Sequence, residues 1–78
     1  MLTSAQIRAA RALLDWTQPE LAKKAGLSLP TVRRMEGALG PGRSSAANVD
    51  AVTRALEEAG VEFISALEGK GAGVRLRR

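Results

Sequence analysis

The sequence predicts a mainly α-helical domain of four helices, closed by a short C-terminal β-hairpin. Three observations lead to this prediction. Apolar residues recur every three to four positions through most of the first 60 residues, as they do on the buried face of a helix. Ser and Thr start signals and glycine stop signals divide that stretch into four segments. After Gly60 the pattern changes to the alternation that is typical of β-strands.

The composition fits one small domain and limits its chemistry. A chain of 78 residues builds a core with a net stability of about 3–5 kcal/mol, so we expect dimerisation to help. The sequence has no Cys and no His, which removes disulfides, thiolate chemistry, the usual zinc ligands and the common proton shuttle at neutral pH. We therefore expect no enzyme activity, no metal and no cofactor. No apolar run approaches the roughly 20 residues of a membrane span, and charged residues interrupt the N-terminal stretch, so we expect neither a membrane segment nor a signal peptide.

The positive charge is concentrated in one half of the chain. The net charge is +4; the first 43 residues hold seven basic and three acidic residues, whereas the later residues hold five of each. A basic surplus beside a binding motif is typical of proteins that dock on a polyanion. The same surplus is also found on ordinary solvated surfaces, so charge alone does not decide between the two.

The first two helices have matching start signals. Thr3 is followed three residues later by Gln6, and Thr17 by Glu20, which is the spacing of a capping box. Apolar residues then share one face of the first helix: Ile7, Ala10 and Leu14. Trp16 is expected to fill the core between the two helices, because two aromatic residues in the whole chain do not make a base-stacking platform.

The segment from Gln18 to Gly37 contains the pattern of two short helices joined by a tight turn. Gly26 stands where a helix end favours positive φ, Leu27 can fill the corner and Ser28 can cap the next helix. The apolar faces on either side of the turn are formed by Leu21, Ala22, Ala25, Val32 and Met35. This spacing is the helix-turn-helix pattern.

These residues resemble the Xre family, which includes the Cro and cI-type phage repressors. The resemblance runs roughly from Thr3 to Ala59 and is carried by Arg11 to Thr17, Gln18, Ala22, Gly26, Leu27, Val32, Met35 and Glu36-Gly37. It implies a lambda-repressor-like fold and a cytoplasmic protein of bacterial or phage origin that lies on the nucleoid when bound to DNA. It also implies a structural ion pair between Arg11 and Glu36, although Arg11 could instead contact a phosphate, and it implies that Gln18 contacts DNA.

A third helix from about Leu29 to Glu36 is expected to enter the major groove as the recognition helix. Arg33 or Arg34 would bind a guanine and the other would hold a phosphate. Leu29 and Pro30 depart from the polar residues that the family often carries here, so they would pack on thymine methyl groups. The expected DNA-binding residues are Gln18, Ser28, Leu29, Pro30, Thr31, Arg33, Arg34, Arg43 and Ser44.

The loop from Gly37 to Gly42 is expected to be a connector, with Leu39 turned into the core. A fourth helix from about Ala46 to Ala59 follows, capped by Ser44 or Ser45 and ended by Gly60. Its expected buried stripe is Val49, Val52, Leu56 and Ala59.

The alternating segments 61–64 and 74–77 predict a β-hairpin, with Glu62 and Arg75 paired on its outer face. We therefore divide the chain into a helix-turn-helix DNA-binding part, 1–60, and a hairpin, 61–78, that serves as a dimerisation element. The expected dimerisation residues are Val61, Phe63, Val74 and Leu76. In the dimer, the hairpins of two chains would pair, or this face would join the fourth helix in the interface. The alternative is a hairpin that folds back on its own helices.

The resulting hypothesis is a transcriptional regulator that binds a palindromic double-stranded operator as a homodimer, with no small-molecule substrate. The alternative is an antitoxin, a module that binds a toxin protein and can also bind its own promoter. A toxin gene beside this one would favour the alternative.

Overall fold

The computed structural model describes residues 2–78, and its architecture confirms the predicted fold class. Four helices are followed by a two-stranded antiparallel hairpin. The elements are α1 (Ser4–Leu14), α2 (Gln18–Ala25), α3 (Leu29–Met35), a single 3-10 turn (Pro41–Arg43), α4 (Ala46–Glu58), β1 (Val61–Ile64) and β2 (Gly73–Leu76). In the part of the chain that is described, none of the helices is both long and apolar enough to cross a membrane.

Local capping sets the beginnings of the helices. Both expected capping boxes form. The Gln6 backbone N–H donates to Thr3 Oγ1 and the Glu20 N–H donates to Thr17 Oγ1. In return, the Gln6 and Glu20 side chains accept from the backbone N–H groups of Thr3 and Thr17. Of the two serines before α4, Ser45 is the cap, because its hydroxyl accepts from the Asn48 N–H at 3.1 Å.

The helices enclose one core. Its buried members come from all four helices and from the first strand: Ile7, Ala10, Leu21, Ala22, Val32, Met35, Val52, Ala55, Leu56 and Val61. Trp16 packs against this core but is only partly buried, so it lies at the edge of the core and does not fill it as predicted. On α4 the buried stripe differs from the predicted one at its C-terminal end. Ala55 is buried, whereas Ala59, which caps the end of the helix, is exposed.

The prediction that Leu39 is buried was wrong. Its side chain is 70% exposed. The loop turns sharply, with the Gly40 N–H bonded to the Gly37 carbonyl at 3.0 Å, and Pro41 takes the buried place instead. A rigid ring just after the turn fills the space, and the preceding leucine is left at the surface.

The hairpin lies on the helices of its own chain. Its register pairs Val61 with Leu76 and Phe63 with Val74, so these four side chains share the inner face. Glu62 and Arg75 pair on the outer face, as predicted. At the far end, Glu68 and Gly69 both have positive φ, 50° and 79°, between the bonded pair of Leu67 and Lys70. Two successive positive φ values define the tight turn that matches the twist of paired strands.

A buried glutamine holds the hairpin to α1. The Gln6 side chain is 5% exposed, and its Nε2 donates to the carbonyl of Gly73 at 2.9 Å and to that of Ile64 at 3.3 Å. Those two residues face each other across the strands. The hairpin therefore folds back on its own helices, which was the alternative left open above.

This arrangement corrects one of the expected dimerisation residues. Val61 is 1% exposed and belongs to the core of its own chain, so it is not free to pack against a second chain. Phe63 and Val74 also pack on that core, but only partly buried. Leu76 is 41% exposed.

Candidate nucleic-acid interface

The corner between α2 and α3 sets the position of α3. Gly26 ends α2 with φ 71°, a conformation that costs a glycine little. The Leu27 N–H then bonds the Ala22 carbonyl at 2.9 Å, and the Ser28 hydroxyl accepts from the Thr31 N–H at 3.3 Å. Three residues therefore turn the chain and cap the next helix, as the sequence predicted.

A buried carboxylate lies where α3 ends. Glu36 is 4% exposed. Its Oε2 accepts from Arg11 Nε at 2.7 Å and its Oε1 accepts from Arg11 Nη2 at 2.9 Å, which is the bidentate geometry that guanidinium groups form with carboxylates. These hydrogen bonds raise the pKa of Arg11 above its ordinary value.

Arg11 is directed into the protein rather than toward a ligand. Its third nitrogen, Nη1, donates to the Trp16 carbonyl at 2.9 Å. All three guanidinium nitrogens are therefore bonded within the chain. This geometry favours the structural assignment of Arg11 over a phosphate contact.

Arg8 also holds the end of α3, which the sequence analysis did not identify. Its Nη1 donates to the backbone carbonyl of Glu36. A cation at a helix C-terminus satisfies a free carbonyl and complements the helix dipole. The available signal was weak: Arg8 lies one turn before Arg11 on α1, and its partner is a backbone atom 28 residues away.

Gln18 begins α2 beside the same carboxylate. Its Nε2 donates to Glu36 Oε1 at 3.0 Å. Within residues 2–78 its amide oxygen accepts no side-chain or backbone hydrogen bond. The Glu36 bond therefore orients the amide and leaves part of it available to a ligand at the N-terminus of α2.

The outward face of α3 is basic. Val32 and Met35 are buried, and Arg33, Arg34 and Pro30 are exposed on the opposite side. Because a helix turns about 100° per residue, Arg33 and Arg34 lie on either side of Pro30, at about 60° and about 40° around the helix. Among the described contacts, the Arg33 side chain forms no ion pair or hydrogen bond, and the Arg34 side chain has one long hydrogen bond, from Nη2 to Thr31 Oγ1 at 3.4 Å.

The other predicted residues of this face occupy the first turn of α3 and the start of α4. Ser28 is exposed, whereas Leu29 and Thr31 are half-buried. A cleft of about 430 Å³ separates the end of α3 from the start of α4. It is lined by the end of α3 and by the loop and 3-10 turn that follow it: Arg34, Gly37, Ala38, Leu39, Gly40, Arg43 and Ser44.

This cleft adds one residue that the sequence analysis placed elsewhere. Leu39 projects beside Arg34 and Arg43 on the basic face. An apolar side chain among arginines suits a surface that meets deoxyribose or base methyl groups as well as phosphates. The only sequence signal was its position between two glycine-containing turns, which does not distinguish an inward from an outward leucine.

The comparisons agree with this geometry. A family model described as helix-turn-helix matches residues 7–58, about two thirds of the chain. None of the curated proteins matches the chain. The matched residues include α2, α3, α4 and most of α1, together with the Glu36 network. The chain therefore belongs to the Xre/Cro/cI-type helix-turn-helix family of DNA-binding regulators.

Proposed function

We propose that this protein regulates transcription by binding a specific, palindromic double-stranded DNA site as a homodimer. The observation that carries the proposal is the exposed basic face of α3, held in place at its C-terminal end by Arg8, Arg11 and Glu36. A recognition helix reads DNA only when its position on the domain is fixed. Family membership indicates that the chain binds DNA. We assign the binding site to this face.

The residues divide by the part of DNA that they would meet. Arg33 and Arg34 flank the outward direction of α3, so one reads a guanine in the major groove and the other reaches a phosphate on the groove wall. Arg43 and Ser44 line the cleft at the start of α4 and would hold the backbone. Gln18 would hold a second phosphate at the N-terminus of α2.

The dimer follows from the size of the contact surface. A single α3 of seven residues touches only a few base pairs. Two copies related by a twofold axis would place their α3 helices one helical turn apart, about 34 Å, on a palindromic site. Bound in this position upstream of a gene, the dimer would block polymerase.

The experiment is selection of bound duplexes from a random pool, at two salt concentrations. The unmodified protein is compared with Arg33→Ala, Arg34→Ala and the control Arg54→Ala. Arg54 is an exposed arginine of α4 outside the proposed interface, so its loss changes the net charge equally. We expect a palindrome with half-sites about 10 base pairs apart, unchanged in the control.

One of the two α3 variants should lose discrimination at one base position, by about 1–3 kcal/mol. The other should weaken all sites alike and reduce the salt dependence by about one unit of slope. Selection of no motif, with binding that disappears at the higher salt, would overturn the proposal. The basic face would then act only electrostatically, and an antitoxin that binds a toxin protein would become the better explanation.

A further inference from the structure

Strand β2 forms an open edge of the hairpin. The Arg77 N–H bonds the Gly60 carbonyl at 2.9 Å, which adds one bonded pair beyond the two strands. Bonded and non-bonded pairs alternate in an antiparallel ladder, so Val74 and Leu76 direct their backbone N–H and C=O groups away from β1. In residues 2–78, neither residue forms a backbone hydrogen bond outside the hairpin.

The open edge carries exposed apolar surface. Leu76 is 41% exposed although it lies on the inner face, opposite Val61, which is 1% exposed. The helices therefore cover β1 more completely than β2. An edge strand with free backbone groups and an exposed leucine is a template for another strand.

The sequence of this edge is self-complementary in size. From residue 71 to 77 it reads Gly-Ala-Gly-Val-Arg-Leu-Arg. Three small residues precede Val74 and three large ones follow it. When such a segment pairs antiparallel with a copy of itself about Val74, every large side chain faces a small one.

We propose that β2 pairs with β2 of a second copy, antiparallel and centred on Val74, to make a continuous four-stranded sheet. The inference rests on the homodimer of the proposed function and assigns its interface. Val74 faces Val74 of the second copy, and the two exchange both backbone hydrogen bonds. Leu76 lies beside Ala72 of the second copy on the inner face.

Charge selects the same register. Centred on Val74, the pairing sets Arg75 against a glycine, Gly73 of the second copy, and Arg77 against Gly71 of the second copy. A shift that centres the pairing on Arg75 would place Arg75 opposite Arg75 of the second copy. A shift that centres it on Leu76 would bring Arg75 against Arg77. Directly opposed like charges destabilise strand pairs, so the Val74 register is the favoured one.

The first experiment exchanges the large and small residues of the inner face. Ala72 and Leu76 are both exposed in the single chain, so substitution leaves the helical core intact. Ala72→Leu opposes two leucines and Leu76→Ala opposes two alanines. We expect each variant to raise the dimer dissociation constant about tenfold in sedimentation equilibrium, because Leu76→Ala removes two Leu–Ala contacts and Ala72→Leu crowds two leucines at each of the same two positions. The double variant restores one large and one small residue per pair, and should recover the original constant within about threefold.

The second experiment tests the register by disulfide crosslinking, which the absence of native cysteine permits. Val74→Cys should crosslink to its own copy under oxidation. Leu76→Cys alone should not, because the two copies of residue 76 lie four residues apart along the strands, about 13 Å, beyond disulfide reach. A mixture of Ala72→Cys and Leu76→Cys proteins should form the mixed disulfide.

Three results would overturn the inference: a double variant no better than the single ones, faster self-crosslinking at residue 76 than at residue 74, or protein that stays monomeric at tens of micromolar. Circular dichroism melts of each variant check that its fold is retained. A selected palindrome without these crosslinks removes this interface and keeps the proposed function. Crosslinks without a selected DNA motif keep this interface and remove the proposed function.

Discussion

Replacing Glu36 by alanine should strongly destabilise the domain. The carboxylate is 4% exposed and receives three hydrogen bonds, from Arg11 Nε and Nη2 and from Gln18 Nε2, between 2.7 and 3.0 Å. The substitution leaves the Arg11 guanidinium without its counter-ion. Breaking one member of a buried ion pair costs about 3–5 kcal/mol.

The lower end of that range applies here. The Arg11 side chain is 20% exposed and keeps its bond to the Trp16 carbonyl, so water and that carbonyl compensate part of the charge. We therefore expect a loss of about 3 kcal/mol, which is most of the net stability of about 3–5 kcal/mol that a core of this size provides. A loss of that size lowers the Tm of a domain this small by roughly 12–24 °C.

Urea unfolding monitored by circular dichroism measures the loss directly. The matched control is Asp50→Ala, which breaks the pair of Asp50 with Arg54, 3.0 Å apart with side chains 58% and 70% exposed. Exposed pairs within a helix contribute at most about 0.5 kcal/mol. If Glu36→Ala costs less than about 1 kcal/mol, or no more than the control, then this network does not hold α3 and the argument for a fixed recognition helix fails.

Three further changes have defined outcomes. Gln6→Ala leaves two hairpin carbonyls without their donor and should cost about 1–3 kcal/mol, with hydrogen exchange accelerated first in the hairpin amides; unchanged exchange there would contradict the anchoring role. Asp15→Gly should raise the free energy of unfolding by about 0.5–1 kcal/mol, because Asp15 has φ 58° at the end of α1 and glycine relieves that strain; a loss of stability would show that the aspartate has another role. Hydrogen bonds from Thr17 hold the pKa of Glu20 below its ordinary value of 4.5, so its stabilising effect is complete above that pH and is lost as the pH falls toward the lower folded value. The melting temperature of Glu20→Gln should consequently depend less on pH below about 4.5 than that of the unmodified protein, and parallel curves would refute the assignment.

Features set by a few neighbouring residues could be predicted from the sequence. The capping boxes at Thr3 and Thr17 depend on residues three positions away. The corner at Gly26 depends on one glycine and its neighbours. The pair of Glu62 and Arg75 followed from alternation in two strands, once those strands were predicted.

Features that depend on how distant segments pack could not be predicted. Leu39 was expected inside, but the proline two residues later occupies that space. Gln6 was identified only as half of a capping box, although its amide also holds strands 58 and 67 residues away. Val61 fits a strand that faces either its own helices or a second chain, and alternation does not distinguish the two. Arg34 of α3 and Arg43 of the 3-10 turn line one cleft only after the chain has folded.

The most direct test of the DNA-binding surface is a titration of isotope-labelled protein with the selected operator duplex, followed by amide NMR shifts. We expect the largest changes at Gln18, in residues 28–34 and at residues 43–44, and small changes in β1 and β2. That result would place DNA on the basic face that α3 and the start of α4 share. Largest changes in the hairpin, with α3 unaffected, would contradict the account.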